Sequence, residues 1–300
     1  MRIKLEDINS LDLDLTFSCG QAFRWRKLEN SWIGMIDDVL LKLQLENNYL
    51  NILSSKPIHK SRVKVFFRFD DRFDIIMKEL NHNKEFKKIS SSIKGLRLLR
   101  QDPWECLISY ICSRNCKIMM INRMLCDLSK NLGEKVTWDN HTDYCFPSPE
   151  IISRAKLNEL ARCRFRFGKT QANEIREIAK IVCSKELDFD KVKNMSYPEA
   201  KVKLMSIGHG IGNKVADCVL LFSLDKLESF PIDVWIGRAL IDLYGQQFDS
   251  KLINKIKRKQ NLTPKEYRLL SDFGRQHFGK YAGYAQEYMY YWKRLRDGAC

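Results

Sequence analysis

Lys214 and Asp233 are the pair whose types and spacing could do covalent chemistry together. Lys214 follows three glycines at alternate positions in IGHGIGNKVADC (207–218), and Asp233 stands 19 residues further on in SFPIDVWIGRAL (229–240). A nucleophilic amine must be neutral, and the first turn of a helix, where the positive end of the dipole disfavours a cation, suits one. Such a lysine can attack an electrophilic sugar carbon and hold it as an imine, while a carboxylate stabilises the positive charge on the ring and helps move protons. Each residue also has a plainer role: Lys214 as a surface cation gripping phosphate, Asp233 as the N-cap of a helix beginning at Val234. The two roles of Asp233 are compatible, because capping also fixes the carboxylate's direction.

The glycine segment is not a P-loop, since Asn213 separates Gly212 from Lys214 and Val215 follows where Ser or Thr is needed. Nor is it a dinucleotide turn: the spacing is Gly208, Gly210, Gly212, and the preceding YPEAKVKLMSI reads as helix rather than strand. What fits is a helix, a tight glycine turn and a second helix starting near Asn213, with Val215, Val219 and Phe222 on one apolar face. This helix-hairpin-helix spans about 197–224. Gly210 and Gly212 would let the backbone approach a phosphate, and the free N–H groups of the second helix would point at the anion, giving binding without base readout. A plain turn between packed helices is the alternative.

These residues must be carried by a scaffold whose pattern changes along the chain. In LLKLQLE (40–46) apolar and polar residues alternate from Leu41, Asn47 and Asn48 supply a turn, and YLNIL restarts the strand. VKVFFRF (63–69) suggests a further strand. From about residue 73 the period becomes helical, with start signals at Asp102-Pro103-Glu105, Ser148-Pro149, Ser196-Glu199 and Thr263-Pro264-Glu266, and stops at Gly133 and Gly245. The expected fold class is α+β: a small antiparallel sheet domain (1–92) followed by a large all-α domain (93–300).

Composition sets the outer bounds. At 300 residues and 44% hydrophobic content the chain can bury a substantial core, and no window approaches a membrane span or a signal peptide. A soluble, intracellular protein is expected. The ten cysteines are not paired at metal spacings and are expected to stay reduced, with no disulfide framework. The net charge of +15 favours a polyanion, nucleic acid first. Basic runs such as KLINKIKRKQ (251–260) read more simply as solvated helix faces.

With these residues in view, the chain resembles the 8-oxoguanine DNA glycosylases of the helix-hairpin-helix (HhH-GPD) superfamily. The resemblance rests on FSCGQAFRW (17–25), GLRLLRQDPWECLISYICSRN (95–115), GHGIGNKVADC (208–218), FPIDVW (230–235) and YAGYAQEYMYYW (281–292), in family order over nearly the whole chain. It implies a bifunctional glycosylase and abasic-site lyase for base-excision repair. Lys214 would be the nucleophile, and Asp233 the stabiliser of an oxocarbenium-like transition state. It further implies that the Gly20 carbonyl accepts the N7–H that distinguishes 8-oxoguanine from guanine, and that Gln286 reads the Watson–Crick edge. Cys218 and Tyr290 would flank the base. Asn115, Phe165 and Arg166 would occupy or border the gap left by the flipped base, Phe165 as the wedge. Seen alone, Cys218 reads as core, Tyr290 as part of an aromatic stripe, Asn115 as a helix C-cap, Phe165 as an apolar loop anchor and Arg166 as a solvated side chain.

The resemblance implies duplex DNA containing 8-oxoguanine as partner, a monomer, no membrane, and residence wherever the DNA is: cytoplasm or nucleoid, or nucleus. No cofactor is expected to be required, although a structural cation at the hairpin fits the family. The iron-sulfur cluster of some relatives needs four clustered cysteines near the C-terminus, and only Cys300 lies beyond Cys218. The sequence departs from the eukaryotic pattern at Cys116 and Lys117 (asparagines there), at Met120 (an arginine contacting the opposite cytosine) and at Trp235 (a histidine). Weaker discrimination for cytosine opposite the lesion is therefore expected. The alternatives are a related glycosylase for an alkylated or mismatched base, and a non-catalytic DNA-binding module.

Overall fold

The computed structural model describes residues 1–5, 11–258 and 260–298, so the expectation attached to Cys300 lies outside the described residues. Five antiparallel strands form the N-terminal sheet: β1 (Arg2–Lys4), β2 (Arg26–Leu28), β3 (Ser31–Ile36), β4 (Val39–Glu46) and β5 (Tyr49–Ser54), in the order β1-β5-β4-β3-β2. Asn47 and Asn48 both take positive φ, 49° and 62°, which is the twist-matched two-residue turn that a tight hairpin needs. Leu41 and Leu43 of β4 are fully buried, in a small core with Phe17, Trp25, Trp32 and Phe67.

Residues 63–69 correct the sequence reading, because Lys60–Phe66 is a helix rather than a strand. Val63 and Phe66 are both buried one helical turn apart, so burial at helical spacing outweighs the β preference of Val and Phe. A second sheet within the helical part was not foreseen: β6 (Lys135–Trp138) and β7 (His141–Tyr144) pair through Asp139 and Asn140, again both at positive φ.

The helix starts lie where the sequence puts them. Asp102 accepts the Glu105 N–H at 2.8 Å, Ser148 that of Ile151 at 3.4 Å, and Ser196–Glu199 and Thr263–Glu266 form reciprocal capping boxes. Gly133 and Gly245 close the Ile118–Leu132 and Val234–Tyr244 helices.

The hairpin helices are Tyr197–Ser206 and Asn213–Phe222. The second is buried all round from Val215 to Phe222, more than the single apolar face expected, and belongs to one large core running from Cys19 and Phe23 to Tyr291. Asp217 is the polar member of that run, fully buried yet satisfied by Tyr197, Tyr267 and Lys201 at 2.7–2.8 Å. The helices at 73–92 contribute Ile76, Leu80, Phe86 and Ile89 to this larger core. Sheet and helices are pinned together by buried polar links: Gln21 bridges Thr16 to Arg97 and Leu99, and Arg68 reaches Asp225 at 2.6 Å.

Candidate active site

Two helix N-termini and the C-terminal helix Ala282–Arg296 build the site. The Asn213–Phe222 helix starts at Gly212, which offers no capping side chain, and carries Lys214 in its first turn. Gly208, His209 and Gly210 before it all have positive φ (72°, 47° and 88°), so the turn is tight. A Cβ on Gly210 would lie 2.1 Å from the Arg114 guanidinium, whereas nothing lies within 4 Å of the Cβ position at Gly212. Arg114 also pairs with Glu174, holding the chain just before Asn115 against the hairpin.

The Lys214 Nζ donates to the Ser113 hydroxyl at 2.7 Å and lies 5.3 Å from the centre of the Tyr110 ring. Asp233 caps the Val234–Tyr244 helix, its Oδ1 accepting the Trp235 and Ile236 N–H groups at 2.9 Å each. Both bonds fall on one oxygen, so Oδ2 is left for another partner. Burial pushes the Asp233 carboxyl above its ordinary value, against the Ile236 N–H and the charge of Lys214, which favour the ionised form. Burial also raises the Cys218 thiol, only partly offset by Lys214, so Cys218 is a neutral, polarizable wall one turn beyond the lysine.

Gly20 packs closely against the C-terminal helix. Its φ is 95°, a conformation that favours glycine, and a Cβ there would meet Ile118 at 2.9 Å and Tyr290 and Arg294 at 3.4 Å. Burial raises the Tyr290 hydroxyl, with the negative charge of Asp233 adding to it. Gln286 is 5% exposed, and its Oε1 has no hydrogen-bond partner among the described residues. A buried amide oxygen left bare costs stability unless something else arrives to satisfy it. Lys214 and Cys218 thus share one helix, Asp233 caps another, and Gly20 packs against Tyr290 of the C-terminal helix that also carries Gln286.

Asn115 is exposed at positive φ (50°) just past the Pro103–Cys112 helix, and Arg166 is exposed as well. Phe165 is 5% exposed and packs in the large core. The ring that stands out is Phe167, 45% exposed, with the Arg114 and Arg166 guanidinium groups 5.4 and 6.0 Å from its centre. Met120 is 41% exposed.

Comparison with known proteins fits this geometry. Residues 3–107 match the 8-oxoguanine DNA glycosylase N-terminal domain, and residues 108–263, more than half the chain, match the HhH-GPD superfamily of base excision DNA repair proteins. The chain belongs to the HhH-GPD superfamily. It is 30% identical to a probable N-glycosylase/DNA lyase of Methanothermobacter thermautotrophicus, over 97% of this chain and 95% of the relative. It is 32% identical to the N-glycosylase/DNA lyase of Saccharomyces cerevisiae, over 93% of this chain and 83% of that one. A Clostridium acetobutylicum 8-oxoguanine glycosylase/lyase, solved with double-stranded DNA carrying cytosine opposite 8-oxoguanine, superposes with a TM-score of 0.83 at 28% identity, covering 96% of this chain and 93% of that one.

Within this HhH-GPD fold the sequence reading missed several neighbours of the site. Ser113 and Tyr110 lie inside the quoted block 95–115, but only the fold shows that they face Lys214. Glu287 is 2% exposed, and burial pushes its carboxyl up to about 7, against the opposing influence of the nearby Cys19 thiol and the charge of Arg294. Its position directly after Gln286 was the available signal. Among the described residues no group of three or more His, Cys, Asp or Glu is placed to hold a metal. A hairpin cation would therefore rest on backbone carbonyls, of which those of Gly208 and Gly210 already accept the Ile211 and Gly212 N–H groups and keep one lone pair each. No described helix is long and apolar enough to cross a membrane.

Proposed function

We propose that this chain excises 8-oxoguanine from duplex DNA and cleaves the resulting abasic strand. The observation that carries the reading is Lys214 in the first turn of the second hairpin helix, followed by Asp233 with one carboxylate oxygen left over from its cap. The uncapped N–H groups in the first turn of the second hairpin helix hold the backbone phosphates, and flipping the damaged nucleotide costs a few kcal/mol of stacking. The Lys214 lone pair attacks C1′, the C1′–N9 bond breaks, and the pair of electrons leaves with the base. Asp233 stabilises the positive charge that develops on the sugar, an interaction strongest in the transition state. The nitrogen then gives up a proton as the C1′–O4′ bond breaks, O4′ takes a proton to become a hydroxyl, and the opened sugar is held at C1′ as an imine. Loss of a C2′ proton expels the 3′ phosphate by β-elimination, and water releases the enzyme.

Recognition follows from hydrogen-bond inventory. The Gly20 carbonyl accepts the N7–H of the oxidised base, where guanine would present a second lone pair. Gln286 offers donor and acceptor to the Watson–Crick edge, between Cys218 and Tyr290. Asn115 and Arg166 border the vacated gap. Met120 cannot donate a hydrogen bond, so the opposing base is read weakly.

The test is single-turnover excision on duplexes that differ in one base. The expected result is rapid release of 8-oxoguanine, with alkylated bases and guanine at least about 100-fold slower, the scale of one or two unpaired buried polar groups. Faster release of an alkylated base would overturn the substrate assignment. Equal selectivity for cytosine over the other three opposing bases, at the level of an enzyme with arginine at this position, would overturn the role of Met120.

A further inference from the structure

We propose that Ser113 is a positioning residue for Lys214, holding its amine without occupying the lone pair that reacts. The inference rests on the reading of Lys214 as nucleophile. Ser113 is the C-cap of the Pro103–Cys112 helix and is 8% exposed. Its hydroxyl proton is committed to the Tyr110 carbonyl at 2.8 Å, and its Oγ faces Lys214 Nζ at 2.7 Å. A hydroxyl has one proton and two lone pairs, so a Ser113 already donating to Tyr110 can only accept from the lysine.

That distinction decides what the contact does. Both the ammonium and the neutral amine have N–H groups to give, so the Ser113 bond survives deprotonation. The amine's lone pair then points away from Ser113, free to form the bond to C1′. A carboxylate in the same place would hold the proton on the nitrogen, and a free hydroxyl donor would take the lone pair. Among the described residues Ser113 is the only hydrogen-bond partner of Lys214 Nζ. The face of Tyr110 confines the amine from a second direction, and that ring is fixed by stacking on Phe222 (5.5 Å, 10°) and by an edge contact with Phe23. The lysine is thus aimed by the C-terminal end of one helix while rooted in the first turn of another.

The test compares wild type with Ser113→Ala, Ser113→Thr and Lys214→Gln. Three quantities are measured: the borohydride-trapped imine rate under single turnover, the Kd for a duplex carrying an uncleavable lesion analogue, and the thermal midpoint. Ser113→Ala is expected to slow trapping by about 10- to 100-fold, the scale of an ångström of misplacement in a reacting group, with Kd unchanged within about 2-fold. Ser113→Thr, which restores the hydroxyl, is expected to recover most of the rate. Equal trapping rates in Ser113→Ala and wild type would overturn the proposal. So would a Ser113→Ala defect that Thr does not rescue, or one that loosens DNA binding and lowers the thermal midpoint in parallel, which is what a structural role gives. A wild type that forms no imine, or a Lys214→Gln protein that still does, would instead sink the nucleophile assignment itself, and the two failures are told apart by these controls.

Discussion

The helices Asn213–Phe222 and Val234–Tyr244 begin with closely similar backbones and use them in opposite ways. Gly212 and Asp233 are their N-caps, at φ, ψ of −93°, −174° and −124°, −172°. Gly212 leaves the first N–H groups without a side-chain partner and the space around it open. Asp233 satisfies the same kind of N–H groups with one carboxylate oxygen and so aims the other. One terminus leaves its donors without a side-chain cap; the other uses them to fix a carboxylate. On the proposed function, the same helix-end physics serves a phosphate in one case and an acid group in the other.

The strongest way to break this comparison is Asp233→Asn. The amide oxygen can still cap the helix, so the thermal midpoint should move little, while the excision rate falls by about 100- to 1,000-fold as the charge is lost. Asp233→Ala should lose the cap too, at a further cost of about 1 kcal/mol in stability. An Asn variant with wild-type excision would reduce Asp233 to a cap.

A second prediction concerns the acid that shares the Asp233 enclosure. Glu287 is pushed up to about 7 from 4.5, so between those values the folded chain holds a proton that the unfolded chain has lost. The native state then binds more protons, and stability falls as pH rises through this window; below about pH 4.5 the effect vanishes. Glu287→Gln should remove it, so denaturant titrations should show the variant gaining on wild type from pH 5 to pH 8, by about 3 kcal/mol at most. A difference that stays constant over that range would contradict the assignment.

The smallest effect sharpens the contrast most. Gly212→Asp places on the bare terminus the cap that the other terminus already has. Stability should rise by a few tenths of a kcal/mol, yet affinity for undamaged duplex at low salt should fall about 10-fold, because a fixed carboxylate competes with phosphate for the same N–H groups. Unchanged affinity would mean that phosphate does not bind there.

How far the sequence carries varies with what each residue depends on. Helix starts such as Asp102 and Thr263 were legible because a cap is satisfied within three or four residues. The β4–β5 hairpin was legible because Asn47 and Asn48 encode their own turn. Residues 63–69 were misread because Val and Phe favour strands, and only the location of the core turns their spacing into a helix face. The Asp139-Asn140 turn was legible in principle, with the same signal as Asn47-Asn48, but lay among helical periods. At the site, the family motifs pointed to Lys214 and Asp233, but Ser113, 101 residues before the lysine it holds, could be found only from the fold. Near Phe165 the sequence places two aromatics in one loop, and packing decides that Phe167 is the one left exposed.

The most direct measurement is borohydride trapping on a duplex containing 8-oxoguanine opposite cytosine, with wild type and Lys214→Gln side by side. Wild type is expected to form one covalent protein–DNA adduct and Lys214→Gln none, although the variant still binds the duplex. An adduct that persists in Lys214→Gln would contradict the assignment of Lys214 as nucleophile.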